Sequence, residues 1–362
     1  MQLVVSVKKL NKRKEIPLSL PEPFGIVGQV NEGYSFEGIE ITAVPNVALG
    51  KWYRDRDGFF YWGGGVIELK TLDQRPWQFI QSKMSWVHDS VANGGLGIVD
   101  LWNKMRVRGK GVKVAVIDSG VDISHIDLKP IFSISFLSDS SMIDSEGHGT
   151  NMAGIIGGLG HIVTGIAPEC ELLIAKTDPE ITDSIVKALQ WANEKNVDVI
   201  SISFECQMDS KIEIELQKCF NNNIAIISSA GNSGELDIII NNFPASSPYC
   251  FSIGCFGKNY KRMACSNISN YLKLLAPGEK ILTAALENKK EEINGDTSIA
   301  TAITSGVVAL FLASERYNSR QVYGKEIIEI LCKNADKRNN GNDNYNFYYG
   351  FGLLSPNTLN FT

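Results

Sequence analysis

The chain has 362 residues, 44% of them hydrophobic, and a formal net charge of −5. That length and apolar content suit a globular protein of about two domains, and the near-balanced charge gives no reason to expect nucleic acid as a partner. No apolar run reaches the roughly 18 residues of a membrane span, and the first residues lack a signal peptide's apolar stretch and small-residue cleavage site, so neither a membrane partner nor export by that route is expected. The seven cysteines are Cys170, Cys206, Cys219, Cys250, Cys255, Cys265 and Cys332. Their odd number and unpaired spacing suit reduced thiols in a cytoplasmic protein.

From Met1 to about Arg75 the texture is all-β. Val4-Ser-Val, Gly25-Ile-Val-Gly-Gln-Val, Gly38-Ile-Glu-Ile-Thr-Ala-Val and Phe59-Phe-Tyr-Trp are short strand-forming runs separated by Gly, Pro and Asn, a pattern that makes a small barrel. Lys51-Trp-Tyr-Arg-Asp-Arg-Asp-Gly-Phe-Phe-Tyr-Trp-Gly-Gly-Gly65 resembles the Trp-containing hairpin of bacterial SH3-like domains. Its aromatics Trp52, Tyr53, Tyr61 and Trp62 either line a groove for a peptide or glycan ligand or fill the barrel core. The basic residues Lys8, Lys9, Lys12, Arg13 and Lys14 read as a solvated turn. The boundary falls near residue 75, giving domains 1–75 and 76–362. The second begins with a connector from about Leu72 to Arg108, helical around Val99-Asp-Leu-Trp102.

From Val112 strands and helices alternate: strands at 112–117, 171–175, 197–203, 224–228 and 250–255, helices at 148–157, 182–193, 212–221 and 298–314. That alternation predicts a mostly parallel α/β sheet with helices on both faces. Asp118 ends the apolar run Val114-Ala-Val-Ile-Asp, and sites in open α/β sheets collect at the carboxyl ends of strands. Among the four histidines, His148 stands in Asp144-Ser-Glu-Gly-His-Gly-Thr, where a Gly-containing turn meets a small-residue helix; His88, His125 and His161 have less suggestive settings. The strand from Ile224 to Ile227 delivers Asn232 into a Gly-flanked loop, where its amide can point at developing charge. Ser298 follows Asn294-Gly-Asp-Thr at the start of a small, apolar helix, with Thr297 placed to cap it. Unpaired N–H groups and the positive end of the dipole there favour an anion forming beside the hydroxyl. A serine nucleophile needs a base and an acid to orient that base, and Asp118, His148 and Ser298 supply the set. Each piece also has an ordinary reading, Asp after a strand as a cap and Gly-flanked Asn as a turn residue.

The order Asp, His, Asn, Ser is similar to that of the subtilisin-like serine peptidases, the subtilases. The matching blocks are Val114-Ala-Val-Ile-Asp-Ser-Gly, His148-Gly-Thr with Ala153-Gly154, Ser229-Ala-Gly-Asn232 and Thr297-Ser-Ile-Ala300. Shorter matches are His125-Ile-Asp-Leu128, Gly165-Ile-Ala-Pro168, Phe243-Pro-Ala245, Cys265-Ser-Asn and Ala276-Pro-Gly278. The likeness runs from about residue 84 to the C-terminus, while residues 1–75 do not resemble the family's inhibitory propeptide. It implies a subtilisin-like fold and a serine endopeptidase acting on protein or peptide substrates. His148 would serve as base, Asp118 as its orienter, Ser298 as nucleophile, and Asn232 with the Ser298 N–H as oxyanion donors. It also implies a groove in which Ser203, Phe204 and Glu205 form one wall, pairing with extended substrate backbone, and Ser229, Ala230 and Gly231 the other.

Three residues depart from the family pattern. Asp296 replaces a usual Gly; facing the site, its charge would raise the pKa of His148, whereas facing solvent it would not. Glu205 also replaces a Gly, which biases the groove toward basic or small substrate residues unless the side chain turns to water. Ala302 stands where the family usually has Pro, and loosening there is associated in the family with aminolysis over hydrolysis. A transpeptidase or macrocyclase is therefore the alternative on the same site, and a non-catalytic binding protein that kept the fold is a third reading. Calcium sites are frequent in the family, but no acidic loop here is specific enough to assign one, so no cofactor is named.

Overall fold

The structure is a computed structural model that describes residues 83–138, 141–341 and 344–357 in full and, before them, the backbone of seven strands between residues 2 and 69. These strands are β1 (Gln2–Val5), β2 (Lys9–Arg13), β3 (Ile26–Asn31), β4 (Ser35–Ile41), β5 (Trp52–Asp55), β6 (Phe60–Trp62) and β7 (Val66–Leu69). They pair antiparallel in the order β3-β2-β6-β5-β4-β1-β7. The basic cluster read as a turn falls instead on a strand, since Lys9, Lys12 and Arg13 belong to β2, paired with β3; its side chains, like those of Trp52, Tyr53, Tyr61 and Trp62, lie outside the described residues. The chain divides into two units, Met1–Phe79 and Ile80–Thr362.

The second unit is organised by a seven-stranded parallel sheet. Its strands are β8 (Lys113–Asp118), β9 (Phe132–Ser135), β10 (Glu171–Lys176), β11 (Val199–Ile202), β12 (Ala225–Ser229), β13 (Phe251–Phe256) and β14 (Leu272–Pro277). Their order is β14-β13-β12-β11-β8-β10-β9. A parallel strand is covered on both faces, so its sequence is a continuous apolar run rather than an alternating one, as in Val114-Ala-Val-Ile117. On one face Ala115, Ile117, Leu173, Ala175, Ile200, Ile202 and Ile226 pack on helices α3 (Thr182–Glu194) and α4 (Ser210–Asn221). The alternate residues Val114, Val116, Ile174 and Ile227 are equally buried and point to the other face. There the sheet meets α2 (His148–Gly157) and α5 (Thr297–Tyr317). Helix α1 (Ile98–Met105) precedes the sheet, a hairpin of β15 (Ile281–Ala285) and β16 (Lys289–Ile293) follows β14, and α6 (Gly324–Lys333) follows α5.

The elements expected from alternation all form, within a few residues of their expected ends. Strands β9 and β14, the hairpin and α6 were not anticipated. Strand β9 is a half-exposed edge of only four residues, too short to announce itself by pattern. Helix α5 corrects the expectation that no stretch is long and apolar enough to match a membrane span. It is 21 residues long, with a mean hydropathy of 1.7 over a window that is wholly buried in the fold. A helix enclosed by protein needs the same apolar surface as one enclosed by lipid, so composition alone does not separate the two. Three of its mid-helix hydroxyls are satisfied within the helix: those of Thr301, Thr304 and Ser305 donate to the carbonyls of Thr297, Ala300 and Thr301 at 2.8–2.9 Å. Gly306 lets it approach Ile166, whose Cβ would lie 2.6 Å from an added methyl group.

Candidate active site

Asp118 ends β8, between β11 and β10 in the middle of the sheet, and is 3% exposed. Its Oδ1 accepts from the Ser119 N–H at 2.8 Å and from His148 Nδ1 at 2.7 Å. His148 is the first residue of α2, set there by Gly147 in the left-handed conformation at φ 87°. The next residue, Gly149, lies against the backbone after β8, so that a Cβ would stand 2.2 Å from the Gly120 oxygen. A side chain at 149 would therefore push His148 off Asp118. Burial works against the charged form of the imidazole, but the charge and hydrogen bond of Asp118, with further contributions from Asp296 and Asp144, outweigh it and push the His148 pKa up to about 9. The shift expected of an inward-facing Asp296 is thus present.

Asp144 is a residue that the motif reading passed over. It is 2% exposed. Its carboxylate accepts from Glu146 N at 3.0 Å, Gly147 N at 2.9 Å, Thr150 N at 2.8 Å and Thr150 Oγ1 at 2.7 Å. Ser119 Oγ accepts from Gly149 N at 2.9 Å and lies 3.0 Å from Asp144 Oδ1 and 3.3 Å from Asp118 Oδ1, so its one proton bridges the two carboxylates. Asp144 holds the turn that delivers His148. Its burial opposes ionisation, but the bonds from Thr150, Gly147 and Ser119 prevail and hold its pKa below the usual carboxylate range. In the sequence it looks like any turn aspartate; only its burial identifies it.

Ser298 is the second residue of α5 and is buried. The cap is Asp296 rather than Thr297: with φ −141° its backbone is extended, and its Oδ1 accepts from the Ser298 N–H at 2.8 Å. Thr297 is instead the first helical residue, and its hydroxyl donates to Asn232 Oδ1 at 3.0 Å. The same Asn232 oxygen accepts from the Thr297 N–H at 2.9 Å, which turns the amide nitrogen toward Asp296 Oδ1, 2.7 Å away. Asn267, in the Cys265-Ser-Asn block, braces this loop by accepting from Ser233 N at 2.7 Å and donating to the Ala230 oxygen at 2.9 Å. The Ser298 hydroxyl donates to the Ser203 carbonyl at 3.1 Å rather than to His148.

His148, Ser298, Asn232 and Asp296 line one open cleft of about 310 Å³ together with Ser203, Phe204, Glu205, Ser229, Gly231 and Ser233. Nine of the ten residues expected at the site therefore either line the cleft or, as Asp118 does, bond directly to a residue that does. Ala230 is not among them. Its side chain packs with Phe256, Leu272, Leu275 and Leu353, and its N–H is bound to the Ile253 oxygen at 2.9 Å, so neither is free to meet a substrate. Glu205 is exposed on the cleft rim, where it accepts from Asn242 Nδ2. The other histidines lie elsewhere; His125, for example, is braced between the Lys289 oxygen and the Asp127 N–H. Among the described residues no cluster of three or more His, Cys, Asp or Glu side chains fits a metal ion.

The subtilase family model matches residues 109–352. Subtilisin DY of Bacillus licheniformis is 30% identical over 257 residues, a match that covers 68% of this chain and 90% of that protein. The major intracellular serine protease of Bacillus subtilis (strain 168) is 32% identical over 256 residues, covering 65% and 78% respectively. Among solved structures, the prenylagaramide maturation protease PagA superposes with a TM-score of 0.63 at 28% identity, covering 72% of this chain and 96% of that one. A mutant of the protease domain of PatA gives 0.61 at 25% identity, covering 70% and 95%. With the family's pattern spanning the whole parallel sheet and every element that lines the cleft, the chain belongs to the subtilase family.

Proposed function

We propose that the protein is a serine endopeptidase in which His148 takes the proton of Ser298, Asp118 holds the imidazole in its productive tautomer, and Ser298 Oγ attacks a peptide carbonyl. Asn232 Nδ2 and the Ser298 N–H receive the oxyanion, and water resolves the acyl-enzyme. The observation that carries this reading is the 2.7 Å Asp118–His148 bond on the same cleft as a helix-terminal serine and an aimed amide. Rotation of the Ser298 hydroxyl from the Ser203 carbonyl toward His148 is a single side-chain step, and catalytic hydrogen bonds commonly tighten only with substrate in place. The substrate is an extended peptide that pairs with residues 203–205. Glu205 at the rim favours a basic or small side chain near the scissile bond, and Glu205→Gly should abolish that preference in a peptide-library cleavage profile. An unchanged profile would remove Glu205 from specificity.

The test of the reading is labelling by a fluorophosphonate of the full-length protein, which should occur, beside Ser298→Ala, in which it should not. Equal labelling of both would place the reactive group elsewhere. A transpeptidase on the same site is the second reading, supported by Ala302 in an unbroken α5. Ligated product in the presence of an amine nucleophile would favour it over hydrolysis. Residues 1–75 fit an SH3-like module that holds the enzyme to a peptide or glycan. The cytoplasm is the fitting compartment, given the intracellular protease among its relatives and seven free thiols.

A further inference from the structure

An aspartate before a helix, extended in its backbone and accepting from the second helical N–H, is an ordinary N-cap. Capping accounts for the bond from Ser298 N to Asp296 Oδ1 at 2.8 Å. It does not account for the second donor on that oxygen, Asn232 Nδ2 at 2.7 Å, which arrives from the loop after β12, 64 residues away. These are the two groups assigned above to the oxyanion. Their distances to Asp296 Oδ1 fall in the range of about 2.7–3.1 Å expected between such donors and the oxyanion itself. One carboxylate oxygen therefore stands where the charged oxygen of a tetrahedral intermediate would stand.

We propose that Asp296 occupies the oxyanion hole of the free enzyme and gates acylation: its carboxylate must swing out before a substrate carbonyl can enter. The inference rests on the peptidase reading. Three further features fit it. The Asn232 amide is locked by Thr297, whose N–H and hydroxyl hold its oxygen at 2.9 and 3.0 Å, so the hole cannot open by turning the amide away. Asp296 is half-buried and lines the cleft, which gives its side chain a path to water without movement of α5. The Ser298 hydroxyl, turned to the Ser203 carbonyl, is also disengaged from its base, so both halves of the site await substrate. Binding of an extended peptide along residues 203–205 competes for that carbonyl, and entry of the scissile carbonyl displaces Asp296. The occupant keeps both donors aimed and dry, yet the neutral carbonyl of a ground-state substrate is a weaker acceptor than the carboxylate it replaces. The penalty falls on every acylation event and not on simple occupancy of the groove.

The experiment is the second-order rate constant for fluorophosphonate labelling of the full-length protein, followed as a function of pH, for wild type, Asp296→Ser, Asp296→Gly and Ser298→Ala. Serine caps a helix N-terminus about as well as aspartate and carries no charge, so Asp296→Ser keeps the fold even if Asp296→Gly does not. Removing Asp296 also lowers the His148 pKa and raises the neutral fraction of the base at neutral pH. The comparison is therefore made on the alkaline plateau, above the His148 pKa of about 9, where the base is neutral in every form. The expected result is a plateau rate at least about tenfold higher in Asp296→Ser than in wild type, the equivalent of about 1.4 kcal/mol. Affinity for a non-covalent peptide that pairs along residues 203–205 but ends before the scissile carbonyl, and so leaves the hole empty, should change less than twofold. A plateau rate equal to or below wild type in a folded Asp296→Ser protein would overturn the gate, and so would a gain confined to pH below 9. Absence of Ser298-dependent labelling in every form would instead overturn the peptidase reading, and this inference with it.

Discussion

Asp144→Asn tests whether the turn before His148 is built on a buried carboxylate. The wild-type oxygens receive Ser119 Oγ, Glu146 N and Gly147 N on Oδ1, and Thr150 N and Thr150 Oγ1 on Oδ2. An asparagine can keep its oxygen on one of these sets, and its NH₂ must then oppose at least one backbone N–H. Hydrogen bonds to a charged group contribute about 1.5–3 kcal/mol each, and a buried donor left unmatched costs about 1–3 kcal/mol. The Thr150 hydroxyl can rotate to accept from the new amide, so the net loss should be about 2–3 kcal/mol rather than a sum over five bonds. Asp144→Ala, which abandons all five, should cost about 4–5 kcal/mol. The assay is urea unfolding in a Ser298→Ala background, which prevents self-digestion, read by tryptophan fluorescence. With an m-value of about 3 kcal/mol/M for a unit of this size, Asp144→Asn should lower the midpoint by about 1 M. Because the Asp144 pKa is depressed, its contribution is present above the usual 3.8 and is lost as pH falls through the folded value. The wild type and Asp144→Asn midpoints should therefore converge in acid. A shift under roughly 0.2 M at pH 7, or one that does not shrink in acid, would refute the account of the turn.

The remaining predictions concern the chemistry directly. A base must be neutral to act, so wild-type kcat/KM should rise with pH through about 9, and Asp296→Asn should move that limb to lower pH by removing one of three carboxylates, Asp118, Asp296 and Asp144, that act on the ring; a wild-type limb at 6.5 would contradict this. The same raised pKa makes the charged imidazole a stabiliser that is fully present below 6.5 and lost as pH rises through about 9, so melting of Ser298→Ala should fall across that window and that of Ser298→Ala with His148→Gln should fall less. Asn232→Ala should lower kcat by about 10²–10³, the magnitude known from the corresponding donor of a subtilisin rather than one worked from this chain, while Ser298→Ala should abolish turnover; equal losses would contradict the assigned roles. Gly149→Ala forces a methyl to within 2.2 Å of the Gly120 oxygen and should remove activity even where circular dichroism shows the fold retained. Wild-type kcat/KM in that variant would show that α2 has freedom the packing denies.

The amino-acid sequence by itself determined the alternating, parallel α/β character of the second unit and four of the residues that come together at the cleft. Asp118, His148, Asn232 and Ser298 each stand at a strand end or helix start that local pattern marks, because continuous apolar runs, glycine turns and small-residue helices are short-range properties. Their order along the chain then identified the family, since four such junctions in one order are specific where each alone is not. What only the tertiary structure decided are the contacts between junctions. Asp144 has no role marked in its motif until it is seen buried, Ala230 reads as groove wall until its side chain is found in the core, and Thr297 reads as the cap until Asp296 reaches back over it. The oxygen of Asp296 meets Asn232 across 64 residues, and the Ser298 hydroxyl meets Ser203 across 95. Both outcomes depend on rotamers chosen by partners that arrive from the loops after other strands, and no spacing within a motif encodes which partner a side chain will find when the sheet closes.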